Sequence, residues 1–120
     1  KSYSQSVTVQ SVVTEATVDR YWELLRYPGN RQATGDRQAA YPRRAPATRE
    51  QMAKLTMPTL VMWGADDGLI PVSAADWFAA AIPGAQKIIY PGIGHIPMEE
   101  APDRSAADVD AFLRARASAS

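Results

Sequence analysis

Two side chains stand out for the chemistry they could do together. Asp67 sits in Ala65-Asp66-Asp67-Gly68, and His95, the sole histidine of the chain, closes Gly92-Ile93-Gly94-His95. A carboxylate bonded to one imidazole nitrogen fixes the ring's tautomer and stabilises its protonated form. The other nitrogen can then act as a general base at neutral pH. Such a pair is the supporting two-thirds of a nucleophile–histidine–acid triad. One Asp and one His in loops also occur by chance in most sequences, so residue type alone does not assign them. A metal site of Asp66, Asp67 and His95 is the weaker alternative, because it lacks a second imidazole and any thiolate.

The elements around these residues decide whether they can meet. Pro58-Thr59-Leu60-Val61-Met62-Trp63-Gly64 is a short apolar run bounded by Pro and Gly, and it does not alternate. Both of its faces want burial, as in a parallel strand with helices on each side. Asp67 lies three residues beyond Gly64. Lys87-Ile88-Ile89-Tyr90 reads as a second strand, closed by Pro91-Gly92-Ile93-Gly94, with His95 just past it. Between them Ala74, Trp77, Phe78, Ala81 and Ile82 make one helical stripe. Ser73 and Asp76 have the spacing of a capping box, and Pro83-Gly84 forms a stop. A crossover of this length permits parallel pairing. Neighbouring strands lie about 4.8 Å apart, so side chains from adjacent end-loops can touch. Pro102 opens a last helix in which Val109, Phe112 and Leu113 are expected to face inward, before a frayed tail over 114–120. Trp63 and Trp77 read as core.

The first half is less well specified. Residues 1–13 read as an extended lead-in. Val18, Tyr21, Trp22 and Leu25 share a helical face after Thr14 as N-cap, and Pro28-Gly29 stops that helix. Asn30 is placed to cap a second helix over 31–40, whose apolar residues are only Ala33, Ala39 and Ala40. The segment 41–50, with two prolines and three arginines, reads as a solvated connector.

Composition removes several functions. Thirteen basic and thirteen acidic residues give zero formal charge and a pI near 6.8, which offers no strong claim on nucleic acid or an anionic bilayer. The sign is uneven: residues 1–50 carry eight basic and five acidic groups, and 51–120 carry five and eight. The absence of cysteine excludes disulfides, thiolate zinc sites and a cysteine nucleophile, and it is compatible with cytoplasm or periplasm, the cytoplasm being the default. No run reaches the roughly 18–20 apolar residues of a membrane span. At 46% hydrophobic and 22% charged, the chain is composed like a globular protein. With 120 residues starting at Lys1, it is one small domain or a piece of a larger one.

The wording of the two loops carries a resemblance. PTLVMWGADDGLIP (58–71) and GIGHIPMEEAPD (92–103) resemble the C-terminal part of the α/β-hydrolase superfamily, where a strand ends in W-G-x-x-D-x-x-(V/I)-P and is followed by G-x-G-H-x-P-x-x-E-x-P. Gly64, Asp67, Ile70 and Pro71 fit the first pattern; Gly92, Gly94, His95, Pro97, Glu100 and Pro102 fit the second. VDRYWELLRYPGNRQA (18–33) is similar to a helix–Pro-Gly–helix piece of the family's lid, or cap. The resemblance implies an α/β fold: a C-terminal βαβα portion of the hydrolase sheet over 54–120, preceded by a helical lid segment and linker over 1–53. It further implies that Asp67 is the triad acid and His95 the general base. Asp66 would have no direct role, and Glu99 and Glu100 would cap or salt-bridge the start of the last helix. Tyr21, Trp22 and Tyr27 read as packing in preference to facing substrate. A small-molecule substrate is implied, and no cofactor or metal.

The family's nucleophile, on a strand-to-helix elbow written G-x-S-x-G or with Asp in place of Ser, has no serine counterpart here. No two of the seven glycines bracket Ser or Cys in that pattern; Gly64 and Gly68 bracket Asp66, but in the turn-rich stretch after the first strand and not at a strand-to-helix elbow, and the close pair Gly92 and Gly94 encloses Ile93. The expected activity is therefore that of a serine carboxylic-ester hydrolase to which this chain contributes the acid and the base. An aspartate-nucleophile hydrolase of the epoxide hydrolase or haloalkane dehalogenase kind is the alternative. A non-catalytic binding module is a third reading, disfavoured because both Asp67 and His95 stand in motif. Two strands leave an edge and much of both faces unpaired, so the 120 residues are expected to be inactive and unstable alone. They would be the carboxyl half of a longer protein, a nicked chain, or part of an assembly whose other polypeptide completes the sheet.

Overall fold

A computed structural model describes residues 2–118. The order of elements is α1 (Ser2–Ser6), a 3₁₀ turn (Gln10–Val12), α2 (Glu15–Arg26), α3 (Asn30–Ala40), a second 3₁₀ turn (Tyr41–Arg43), α4 (Arg49–Met52), β1 (Leu60–Gly64), α5 (Ser73–Ala81), β2 (Gln86–Tyr90), α6 (Pro97–Glu100) and α7 (Pro102–Ala117). The chain divides into two compact units. One joins the segment up to Val12 with everything from Thr48 onward; the other is Val13–Ala47. This differs from a division at 53/54. Residues 2–12 belong with the sheet because their backbone is bonded to the loop after β2: His95 N–H donates to Ser6 O at 2.8 Å. They form a short helix and a 3₁₀ turn, and not an extended lead-in.

In the larger unit β1 and β2 pair in parallel, Leu60 opposite Gln86 through Gly64 opposite Tyr90. The crossover helix α5 lies on this sheet through small residues: Ala75 and Ala81 are buried, which lets the helix axis approach closely. Val61, Ile82, Tyr90, Ile93 and Val7 complete the core. Trp63 and Trp77 are half-buried and flank Phe78, whose ring centroid lies 6.3 Å from Trp63 and 5.0 Å edge-on from Trp77. The helix starts at Ser73 itself, after a helical Val72, so Ser73 is not an extended N-cap and the expected capping box is absent. Asp76 pairs instead with Lys87 at the start of β2. Helix α7 is tied to β2 by Tyr90, whose buried hydroxyl donates to Asp108 at 2.7 Å while Arg104 stacks 4.8 Å above the ring. Burial and the Asp108 carboxylate push the Tyr90 hydroxyl up to about 12, so it remains a donor throughout the working range.

The outer side of α7 is not the buried face that periodicity suggests. Val109 and Leu113 are exposed, and with Met62, Pro97 and Met98 they line an open apolar groove. The helix runs on through Ala117 where a frayed tail was expected; the last two residues lie outside the described ones.

In the smaller unit Thr14 caps α2 as its sequence suggests, accepting from Thr17 N–H while Thr17 Oγ1 accepts from Thr14 N–H. Asn30 does not cap α3. It is the first residue of that helix, after Gly29, and its amide donates at 2.7 Å to Leu24 O, a last-turn carbonyl of α2 that Tyr27 N–H reaches only at 3.3 Å. Tyr21, Trp22, Leu25 and Tyr27 are exposed, so the packing role read from their spacing is not met within this unit. The connector from 41 onward holds a 3₁₀ turn, and α4 is capped by Thr48, which exchanges bonds with Gln51. Among the described residues no helix is long and apolar enough to cross a membrane.

Candidate active site

The loop leaving β1 and the loop leaving β2 emerge side by side because the strands are parallel and in register. They are then stitched together: Ala65 N–H donates to Tyr90 O at 2.9 Å and Asp66 N–H to Ile93 O at 3.0 Å. This proximity needs Gly64. A Cβ there would lie 1.9 Å from Gly94 O and 2.3 Å from Ile93 O, both backbone atoms that cannot rotate away. Gly64→Ala is therefore expected to part the loops and destabilise the fold by about 3 kcal/mol or more, the upper end of overpacking costs. Gly68, whose Cβ would meet nothing within 4 Å, is the control. Thermal unfolding of the two alanine variants in the full-length gene product checks this, and equal melting temperatures would refute it.

Above this junction His95 Nδ1 lies 2.8 Å from Asp67 Oδ2. The Asp67 side chain is only 2% exposed, and the His95 ring 35%. The other Asp67 oxygen, Oδ1, accepts from Leu69 N–H at 2.8 Å and Ile70 N–H at 2.9 Å, so the loop's own backbone aims the carboxylate. Trp63 Nε1–H, bonded to Ile70 O at 3.2 Å, ties that loop to β1. Burial works to raise the Asp67 pKa. The bond to His95, the two backbone donors and the imidazole charge outweigh it and hold the carboxyl below its ordinary value. An ionised carboxylate can only accept, so Nδ1 carries the proton and the lone pair of the neutral ring sits on Nε2. That nitrogen has no protein partner among the described residues, and the ring reaches solvent. The arrangement can take a proton from an acid placed at Nε2 and return it.

Asp66 is not part of this pair. Its side chain is exposed, and its backbone oxygen accepts from Thr8 Oγ1 at 3.2 Å. Among the described residues no cluster of three His, Cys, Asp or Glu side chains could hold a metal ion. Glu99 lies half-buried and Glu100 is buried in α6. Glu100 does not serve α7 as residue spacing suggests. Its carboxylate turns to the His95 loop, where Gly94 N–H donates to it at 3.0 Å, and to the N-terminal segment, where Thr8 N–H donates at 2.7 Å. Sequence reasoning missed this role; the signal it held was an acid five residues after His95 beside an invitingly small Gly94.

A family model described as the alpha/beta hydrolase fold matches residues 3–102. Lipase 3 of Moraxella sp. is 41% identical over 61 residues, which are 51% of this chain and 19% of the lipase. A pimeloyl-[acyl-carrier protein] methyl ester esterase of Aliivibrio salmonicida is 33% identical over 66 residues, 55% of this chain and 25% of the esterase. Among solved structures, a serine hydrolase involved in carbazole degradation superposes with a TM-score of 0.76 at 26% identity, covering 85% of this chain and 40% of that one. The matched portion thus spans about a fifth to a quarter of these curated relatives.

Proposed function

The chain belongs to the α/β-hydrolase fold family, and from that premise we propose that it furnishes the acid, Asp67, and the general base, His95, of a serine carboxylic-ester hydrolase. The observation that carries the reading is the 2.8 Å bond between a 2%-exposed carboxylate and a ring that still reaches solvent. His95 Nε2 takes the proton of a serine hydroxyl as its oxygen attacks the acyl carbonyl, and the imidazolium gives that proton to the departing alcohol. In the second half the same nitrogen takes a proton from water, which attacks the acyl-enzyme, and gives it to the serine oxygen as the acyl bond breaks and the acid is released. Asp67 stays ionised throughout and stabilises the imidazolium. The names of the relatives, a lipase and a methyl ester esterase, support an ester as substrate, and the similar serine hydrolase supports serine over aspartate as nucleophile.

The serine comes from outside these 120 residues, which contain no nucleophile elbow. The polypeptide that brings it also completes the sheet. In its support, the described sheet has two strands, each with an open outer edge, and the apolar groove of Met62, Met98, Val109 and Leu113 is uncovered. The test offers a p-nitrophenyl ester and a fluorophosphonate to the full-length gene product and to the isolated 120 residues. The full-length product should hydrolyse the ester and lose that activity as one serine is phosphonylated; the isolated chain should do neither. Ester hydrolysis resistant to the fluorophosphonate would instead favour the aspartate mechanism, and hydrolysis by the isolated chain would overturn the division of labour.

A further inference from the structure

We infer that Glu100 is a positioning residue for His95, holding the general base at its working distance from Asp67; this rests on the catalytic reading above. Glu100 is 7% exposed, yet no Lys, Arg or His pairs with it among the described residues. Its charge is met by backbone donors alone. Oε1 accepts from Gly94 N–H at 3.0 Å and from Ile96 N–H at 3.3 Å, the residues on either side of His95. Oε2 accepts from Thr8 N–H at 2.7 Å and Val9 N–H at 2.9 Å, and it shares the Gly94 donor at 3.1 Å. Between these two sets, His95 N–H itself donates to Ser6 O at 2.8 Å. The peptide groups before, at and after His95 are thus all restrained. Two of the three restraints pass through one carboxylate.

A buried carboxylate that accepts four backbone N–H groups is a charge-assisted anchor, and no neutral side chain can copy it. An amide at the same place has one acceptor oxygen and one NH₂ group. Whichever way it turns, the NH₂ faces either Gly94 and Ile96 or Thr8 and Val9, donor against donor. The geometry is close on every side: a Cβ on Gly94 would come within 2.8 Å of Thr8 N and 2.9 Å of Glu100 Oε1. Losing the anchor frees the His95 backbone to shift, and the imidazole shifts with it. Glu100 touches neither substrate nor ring, so it acts only through where it puts His95.

The test compares Glu100→Gln and Glu100→Asp with the parent in the full-length gene product, with turnover normalised to fluorophosphonate-titrated sites so that misfolded molecules do not count. The second readout is the hydrogen-bonded Nδ1 proton of His95 by NMR, identified by its loss in His95→Gln. Displacing a reacting group by about 1 Å costs on the order of 10²-fold. Glu100→Gln should therefore lower kcat about 10²-fold at unchanged KM, with the Nδ1 proton lost to exchange. Glu100→Asp, which keeps the charge but is shorter, should recover part of both. A purely structural Glu100 would lower the melting temperature of both variants while leaving kcat per titrated site and the Nδ1 proton unchanged, which overturns the inference. Should Glu100→Gln yield no titratable sites, the same comparison on Glu100→Asp decides. A parent that hydrolyses ester without any Nδ1 proton to Asp67 counts against the acid–base pair, separately from Glu100.

Discussion

His95→Ala in the full-length gene product is expected to lower kcat for a p-nitrophenyl ester by about 10⁶-fold, the cost of losing the base where triad members act as one unit. The loss should be this large because, in the mechanism proposed above, His95 handles every proton in both half-reactions. No second imidazole exists in these 120 residues to substitute for it. The fold should survive. The ring is 35% exposed, and the bond that His95 makes to Ser6 comes from its backbone, which alanine keeps. The melting temperature should therefore stay close to that of the parent while activity disappears. A variant that retains more than a tenth of the parent's turnover would remove His95 from the reaction.

The second large effect belongs to the acid. Asp67→Asn should reduce kcat by about 10⁴-fold. Asparagine can keep its oxygen on the Leu69 and Ile70 donors only by turning its NH₂ toward Nδ1. The ring must then accept at Nδ1, carry its proton on Nε2 and lose its power as a base at the nitrogen that faces solvent. Asp66→Asn, next door, should stay within a few-fold of the parent, since the Asp66 side chain is exposed and outside the pair. Opposite results for the two variants would exchange their roles. Asp67→Asn should also flatten the acid limb of stability. Because the Asp67 pKa is lowered in the fold, its contribution is complete above its unfolded value of about 4 and disappears as pH falls through the native value. Denaturant titrations between neutral pH and pH 3 should show a smaller loss in the variant than in the parent.

The meeting of Asp67 with His95 and the strands beneath it were legible in the sequence because the strand bounds and the loop spacings that bring the two together are local. Pro58 and Gly64 bound β1, and Asp67 follows at fixed distance; Tyr90 ends β2, and His95 follows the glycines. Parallel pairing then does the rest. What stayed hidden depends on partners far along the chain. Glu100 meets Thr8 across 92 residues, and no spacing rule joins them. The short helix and 3₁₀ turn before Val12 were hidden for the same reason, since their place is set by bonds to the loop after β2. Ser73 misled because the capping pattern says nothing about the dihedral angles of Val72, and Asp76 found a cation on the neighbouring strand. Val109 and Leu113 misled differently: their periodicity is real, but the surface they would pack on is not among the described residues. Asn30 kept its capping chemistry and applied it to the helix behind it.

The in-register pairing from Leu60 with Gln86 to Gly64 with Tyr90, closed by the stitch at Gly64, has one more consequence. Asp67 and His95 are spaced by a ladder and a backbone contact, both of which sit outside the 15 residues running from Pro71 to Ala85 through α5. The turn at Pro83-Gly84 could lengthen or the outer face of the helix could be rewritten, and the carboxylate and the ring would keep the same separation. Drift along that connection is invisible to the chemistry, whereas a slip of a single rung would carry the imidazole out of reach.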